Sequence, residues 1–385
     1  MFGSILSTAL SILGSLGVFL FGMKIMSEGI QKVAGNRLRN ILTYMTQNRF
    51  AGVLTGFVTT CLVQSSSATT VMVISFVNAR LLTLFQAIGV IMGANIGTTI
   101  TIWMIVLFGY DFDIEAFALP SIAIGLPLIF SKFTKRKNIG EIFLGFGLLF
   151  LGLNFLKDSV PDIEGNEAIY NMLSSFAGSG IFSLLIFIAI GIILTIVVQS
   201  SSAAMAITVA MAFNGWIDFP TACALVLGEN IGTTITAYLA SINGNYHAKR
   251  AARAHMIFNV FGVVWIILLF KVFVSLIDTI VPGDLNFNQG GADFDVMKYH
   301  LAMFHTMFNV INVLILIWFV PQIENIVKKM VKPKENEKEV EYSLEYFSTN
   351  IQPTPEIAIL EAKKEVLNMS NVINDFLSRT ITIPF

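Results

Sequence analysis

The sequence predicts an all-α membrane protein built from two inverted-topology repeats, and three observations carry that prediction. The 385 residues are 55% hydrophobic and only 13% charged, with a mean hydropathy of +0.74, against about a quarter charged in an ordinary soluble domain. Gln64-Ser65-Ser66-Ser67-Ala68 recurs as Gln199-Ser200-Ser201-Ser202-Ala203, and Gly93-Ala94-Asn95-Ile96-Gly97-Thr98-Thr99-Ile100-Thr101 recurs as Gly228-Glu229-Asn230-Ile231-Gly232-Thr233-Thr234-Ile235-Thr236. The offsets are 199 − 64 = 135 and 236 − 101 = 135, so the two units align without a gap. Finally, basic residues fall on one set of connections and acidic residues on the other, the asymmetry that sets orientation in a bilayer.

A full helical span needs about 20 apolar residues. Seven stretches qualify: 5–30, 84–108, 116–131, 139–157, 219–240, 254–281 and 300–320. The first Lys or Arg is Lys24, so the opening stretch lacks a basic leader and reads as a retained membrane segment. Two further apolar runs, 50–63 and 181–198, end in the Gln-Ser-Ser-Ser clusters, and apolar chain resumes at once. Four consecutive polar side chains do not suit a plain span facing lipid, and a broken segment persists only where protein or a water-filled cavity surrounds it. The segments 50–82 and 181–214 are therefore expected to be re-entrant helical hairpins with the clusters at their tips.

Charge placement supports this layout. Lys32, Arg37, Arg39 and Arg49, then Lys132 to Lys137, then Lys249, Arg250 and Arg253, then the residues after Gln322, fall on one side. Asp111, Asp113 and Glu115, then Asp158, Asp162, Glu164 and Glu167, then Asp284, Asp293 and Asp295, fall on the other. The N-terminus is expected outside and the C-terminus in the cytoplasm. Three crossings separate the hairpins, so the second enters from the opposite side and the repeat is inverted. Gly17 to Gly22 resembles Gly147 to Gly152, at an offset of 147 − 17 = 130, which extends the duplication upstream. The expected divisions are 1–138 for the first repeat, 139–321 for the second with a final span, and 322–385 for a linker and helix.

The chemistry of the clusters follows from the break. Serine oxygens cap the second half-helix, while unpaired N–H groups and the positive end of its dipole attract an anion. Gln64, Ser65, Gln199 and Ser200 supply neutral hard oxygens suited to Na+, an anion-and-cation pairing typical of transporter cores. The remaining candidates for substrate or ion binding are Ser66, Ser67, Asn95, Thr98, Thr99, Ser201, Ser202, Glu229, Asn230, Thr233 and Thr234. The glycines of the second cluster are expected to let each spanning helix unwind locally. Glu229 replaces Ala94, and a carboxylate inside the membrane is functional by default, as a Na+ ligand or paired with a donor. His255 and His305 share His-x-x-Phe-Asn, at an offset of 305 − 255 = 50, near the starts of their helices; they read as satisfied interfacial histidines.

Cys61 and Cys223 lack metal or redox spacing and read as packing residues. Nothing implies nucleic acid or a cofactor. From Gln322 the chain turns polar, and Glu356 to Arg379 carries Ile359, Ala362, Val366, Met369, Ile373 and Phe376 at steps of three and four, the stripe of a bundle helix. Its partner is the membrane domain, further helices or a second copy in a homodimer.

The paired Gln-Ser-Ser-Ser at 64–67 and 199–202, with Gly-x-Asn-Ile-Gly-Thr-Thr at 93–99 and 228–234, resembles the type II sodium-dependent phosphate cotransporters and their bacterial relatives over about residues 10 to 320. The resemblance implies symport of Na+ with inorganic phosphate in the plasma (inner) membrane, the motif residues lining the sites. Glu229 departs from the small residue of eukaryotic members. Residues 340–379 resemble the start of the PhoU-like domain of bacterial members. Other readings are a transporter of another small anion, a passive channel, or an intramembrane serine hydrolase. The last lacks a Gly-x-Ser-x-Gly elbow.

Overall fold

A computed structural model describes residues 2–34, 48–108, 115–159, 180–283, 285 and 294–333, together with 363, 366–371 and 373–374. Among the described residues every regular element is helical: α1 (Phe2–Ala34), α2 (Arg49–Val63), α3 (Ser66–Asn78), α4 (Leu84–Val106), α5 (Glu115–Ile129), α6 (Thr134–Ser159), α7 (Ile181–Val198), α8 (Ser201–Phe213), α9 (Phe219–Gly232), α10 (Thr234–Ser241), α11 (Tyr246–Ile280), α12 (Phe294–Leu316) and α13 (Val320–Met330). The chain divides into two compact units, 1–332 and 333–385. In the second, residues 366–371 are helical, with Val366 and Met369 exposed. The rest of the predicted tail helix, most of the acidic connections, and Arg37 and Arg39 lie outside the described residues.

Among the described residues six helices are long and apolar enough to cross a membrane: Leu10–Ala34, Leu84–Val106, Thr134–Ser159, Ile181–Val198, Tyr246–Ile280 and the joined stretch Val296–Met330. Five correspond to predicted spans. The predicted span 116–131 is instead a 15-residue helix containing Pro120 and Pro127, about 22 Å long against a hydrocarbon layer of about 30 Å. The predicted span 219–240 is interrupted at Thr233. The sixth helix, Ile181–Val198, meets the length criterion although its sequence was read as one arm of a hairpin.

Both Gln-Ser-Ser-Ser clusters break their helix in the same way. Gln64 and Gln199 take the left-handed conformation, φ 55° and 56°, and end α2 and α7. Ser65 and Ser200 are extended, and their Oγ atoms accept hydrogen bonds from the N–H groups of Ala68 at 3.1 Å and Ala203 at 3.3 Å. These are the predicted N-caps. At the first break Thr60 Oγ1 donates to Thr69 Oγ1 at 3.1 Å. Nine residues along a straight helix would separate them by about 14 Å, so the chain folds back there.

Glycines set how the helices meet. A Cβ on Gly56 would lie 1.9 Å from the Val90 carbonyl oxygen, and one on Gly93 would lie 1.9 Å from that of Val53. In the second copy the distances are 2.2 Å for Gly191 to Leu225 and 2.1 Å for Gly228 to Ile188. Each pair corresponds to the other at the offset of 135, so backbone meets backbone at the same place twice. Gly52 lies against Gly89, Gly56 against Val90 and Thr60 against Gly97, so α2 and α4 run parallel. The contacts Gly191 to Leu225 and Thr195 to Gly232 make α7 and α9 parallel likewise.

Helices α1 and α6 pack antiparallel: Gly22 meets Leu149, Gly152 meets Phe19, Gly145 meets Met26 and Gly29 meets Ile142. Gly22 and Gly152 are equivalent at the offset of 130, as are Phe19 and Leu149, so the contact is reciprocal. Such reciprocity is the mark of a two-fold relation.

The expected unwinding at the Asn-Ile-Gly-Thr-Thr clusters is not found. Helix α4 runs unbroken through residues 93–99, with the Thr98 and Thr99 hydroxyls donating back to the carbonyls of Ala94 at 3.2 Å and Ile96 at 2.7 Å. Thr233, at φ −60° and ψ −23°, still donates its N–H to the Glu229 carbonyl at 3.0 Å, so the join of α9 and α10 is a small hitch. The physical reason is that the glycines serve helix contact while the Thr98, Thr99 and Thr234 hydroxyls bond their own backbone, so only the join at Thr233 departs from a continuous helix.

Replacing Gly93 or Gly228 by Ala should therefore destabilise the protein by about 1–3 kcal/mol or more, read as a lowered melting temperature in detergent. Gly14, with nothing within 4 Å of its would-be Cβ, should accept Ala with a change within about 1 kcal/mol.

Candidate functional site

The two copies meet at one cavity. Its walls carry Ser66, Asn95, Thr98 and Thr101 from the first copy, Ser201, Ser202, Glu229, Asn230 and Thr233 from the second, and His305 from α12; Ile102, Ile105 and Met205 complete it. Residues 95, 98, 102 and 105 follow the three-and-four spacing of one helix face, which the unbroken α4 turns inward. Ser66 and Ser201 are the first residues of α3 and α8, so the positive ends of both half-helices face the cavity. In this conformation the space is about 10 Å³, room for about one water. A tetrahedral oxyanion requires its walls to separate.

Of the residues singled out in the sequence, Gln64, Ser65, Ser67, Thr99, Gln199, Ser200 and Thr234 do not line this cavity. Gln64 is buried, its Nε2 donating to the Cys61 carbonyl at 2.6 Å and its Oε1 accepting from Thr101 Oγ1 at 3.2 Å. Ser65 and Ser200 cap their helices, and Thr99 and Thr234 bond their own backbone. Ser67 receives a hydrogen bond from Thr236 of the second copy at 3.3 Å, a direct contact between one bend and the opposite cluster. Gln199, equivalent to Gln64, is exposed.

The His-x-x-Phe-Asn pair is deeper than its sequence position suggested. His255 and His305 are 1% and 3% exposed, with both ring nitrogens of His255 and Nδ1 of His305 lacking partners among the described residues. They are neither interfacial nor satisfied: His255 lies ten residues into an α11 that begins before the apolar run, and α12 likewise starts upstream of 300. Asn95 Nδ2 donates to Asn259 Oδ1 at 3.0 Å in the core, which ties α4 to α11. Asn259 and Asn309 each donate to the carbonyl of the histidine four residues before, at 3.0 and 2.9 Å.

Glu229 is 1% exposed, and its Oε1 accepts from Thr208 Oγ1 at 2.6 Å. Sequence reasoning left out Thr101 and His305, which line the cavity, and Thr208, which bonds Glu229; Asn259, which bonds Asn95, was read as a residue within reach of the cavity. The offset held a signal for one of them: 208 − 135 = 73 is Val73, so the copy that gains Glu229 also gains the threonine that holds it.

A family model described as Na+/Pi-cotransporter matches residues 18–158 and 166–280. The chain is 26% identical over 372 residues to the "Putative inorganic phosphate export protein YjbB" of Salmonella typhimurium, covering 96% of this chain and 64% of that protein. It therefore spans about 64% of that relative's length. It is 30% identical over 301 residues to the "Uncharacterized protein YqeW" of Bacillus subtilis, covering 77% of this chain and 90% of the other. To the human "Sodium-dependent phosphate transport protein 2B" it is 41% identical over 92 residues, 23% of this chain and 13% of that one. No solved structure matches. On the strength of the duplicated motif and the matched family model, this integral membrane protein belongs to the Na+/Pi-cotransporter family.

Proposed function

We propose that the chain is a secondary active transporter that moves inorganic phosphate with Na+ as coupling ion, alternating access to the cavity between its two Gln-Ser-Ser-Ser bends. The observation that carries the reading is the convergence of Ser66, Asn95 and Thr98 with Ser201, Ser202, Asn230 and Thr233 on that cavity. Two positive helix ends suit an oxyanion. The oxygens of Gln64, Ser65, Gln199 and Ser200, at the bends themselves, supply the neutral ligands for Na+ as the bends move, and Ser67, Thr99 and Thr234 support the two clusters.

The parallel run of α2 with α4, and of α7 with α9, supports re-entrant hairpins: a hairpin that goes in and returns ends on the side where it began, so the helix that follows sets off parallel to its first arm. The reciprocal antiparallel contact of α1 with α6 supports inverted repeats, because an axis relating antiparallel spans lies in the membrane plane. With the basic connections inside, the N-terminus is outside and the C-terminus cytoplasmic, in the plasma (inner) membrane. The tail helix docks on another helical surface, a second copy in a homodimer among them.

The direction of net transport has a second reading, export, which the printed name of the Salmonella relative favours. Reconstituted vesicles decide between them. Labelled phosphate should accumulate when a Na+ gradient is imposed inward, and efflux from preloaded vesicles indifferent to Na+ would overturn the coupling in favour of export. Ser66→Ala and Ser201→Ala should each lower Na+-driven accumulation at least about tenfold with folded protein unchanged, since each removes a hydroxyl where the ligand sits. Activity equal to the parent would remove the cavity from consideration.

Gln199→Gly separates backbone from side chain. Glycine suits a φ of 56° and should stabilise the bend by about 1 kcal/mol, raising the melting temperature, while Na+-driven accumulation falls with the loss of the amide.

A further inference from the structure

The cavity is built on a symmetric frame but charged on one side. Positions 73 and 94 of the first copy are valine and alanine; their equivalents, 73 + 135 = 208 and 94 + 135 = 229, are threonine and glutamate. Those two side chains are bonded to each other at 2.6 Å, so they form one unit that the second copy has and the first lacks. Thr208 occupies one carboxylate oxygen. The other, Oε2, is buried without a partner among the described residues, on a residue that lines the cavity. Thr233 Oγ1 and His305 Nδ1, on residues lining the same cavity, are also buried and unpartnered. Three residues lining one cavity thus each carry a buried polar atom with its capacity unused, where an uncompensated carboxylate is costly.

We propose that Glu229 Oε2, with Thr233 Oγ1 four residues further along on the same cavity wall, is a cation site in which one monovalent cation, Na+ or H+, neutralises the carboxylate in each transport cycle. The site differs in place and in charge from the neutral oxygens at the bends. It sits one residue from Asn230, so a cation held there faces the phosphate across the cavity and offsets part of its charge. The assignment to a transport cycle rests on the function proposed above.

The surroundings leave the carboxylate alone with this task. Of helices α7, α8 and α10, which pack against α9, none carries a charged side chain, and Tyr238 of α10 is their one titratable group. Helix α12 brings His305 to the cavity, and α11 brings His255 to the core near it. The other titratable and charged groups described on these two helices are Tyr246, His247, Lys249, Arg250, Arg253, Lys271, Asp278, Lys298, Tyr299 and His300, none of which lines the cavity. No lysine or arginine lines the cavity, and the neutralising charge comes from solution.

The test is cation binding by the full chain in detergent, read as the shift of melting temperature on titration with NaCl at fixed pH, with choline chloride as the ionic-strength control, and on acidification without Na+. The parent should gain several degrees from one of the two, and which one identifies the cation. Glu229→Gln, close in shape, should lose most of that gain, and Glu229→Asp should keep part of it. Thr233→Val keeps the carboxylate but removes the hydroxyl, so it should weaken a Na+ response at least about tenfold in midpoint and spare an H+ response. In vesicles Glu229→Gln should lose at least about tenfold in phosphate accumulation driven by the same cation. Equal shifts in the parent and in Glu229→Gln, or full gradient-driven accumulation by that variant, would overturn the cation site. A Na+ or H+ shift that depends on Glu229, in a protein to which inorganic phosphate gives no shift and which carries no phosphate, would uphold the cation site and overturn the transport reading instead.

Discussion

The close approach of two backbones, made once in each copy at paired glycines, is the constraint on which the rest of the fold depends. Within a bilayer there is no hydrophobic gain in bringing two apolar helices together, and association draws on packing and on hydrogen bonds. Gly56 and Gly93 in the first copy, and Gly191 and Gly228 in the second, let α2 and α7 lie directly on α4 and α9. That contact fixes the rotation of α4 and α9 about their axes. With the glycine face turned outward onto the neighbouring helix, the face bearing Asn95 and Thr98, or Glu229 and Asn230, turns to the cavity. A polar stripe is then held in place by an apolar one.

The helix breaks complete what the glycines begin. A bend inside a membrane protein exposes carbonyls at the end of the first half-helix and N–H groups at the start of the second. The two ends are handled differently here. The N–H groups are only partly capped, by Ser65 and Ser200, and the rest of that helix end is left to the cavity. At the first bend the carbonyls are closed off: Gln64 Nε2 takes that of Cys61, and Ser27 of α1 donates to that of Val63 at 2.6 Å. There the cavity feels the positive end of the second half-helix more than the negative end of the first, which favours an anion without any lysine in the wall.

Much of this was legible in the sequence because it depends on local chemistry that repeats. The bends, their serine caps and the meeting of the two clusters follow from a polar run placed twice in apolar chain. The span count was less legible. Pro120 and Pro127 sit in a run whose hydropathy says span but whose helix is only 15 residues long, and length was judged from composition. The unwinding expected at Gly93 and Gly97 failed for a specific reason. Glycine in a helix serves two opposite purposes, freedom of the backbone and closeness of a neighbour, and only the neighbour's position decides between them. Once α4 is taken as continuous, helical spacing from Asn95 and Thr98 reaches Ile102 and Ile105 and turns Thr99 aside. His255 and His305 were misplaced because their helices start before the apolar runs do, which carries both rings into the core. The Glu229–Thr208 pair was half visible: the carboxylate drew notice, and its partner needed the same offset applied to a residue outside either motif.

The equivalence of the two bends bears on how such a site could move. Gln64 and Gln199 share a left-handed backbone within a degree of each other in φ, yet Gln64 is buried beneath α1 contacts and Gln199 is exposed. One local structure thus occupies two environments in a single conformation. Were access to the cavity to alternate as proposed above, two related halves would reach the complementary conformation by exchanging those environments: the first bend would open while the second is covered, with the bonds inside each bend intact. The glycine contacts make each hairpin and its α4 or α9 partner a rigid block suited to such an exchange, because backbone packed on backbone slides or separates as a unit. What the exchange does not carry across is charge, since Glu229 and Thr208 belong to one block and Ala94 and Val73 to the other. A cycle between near-equivalent shapes with unequal electrostatics is the physical basis on which a cation can bias an otherwise symmetric rocking motion.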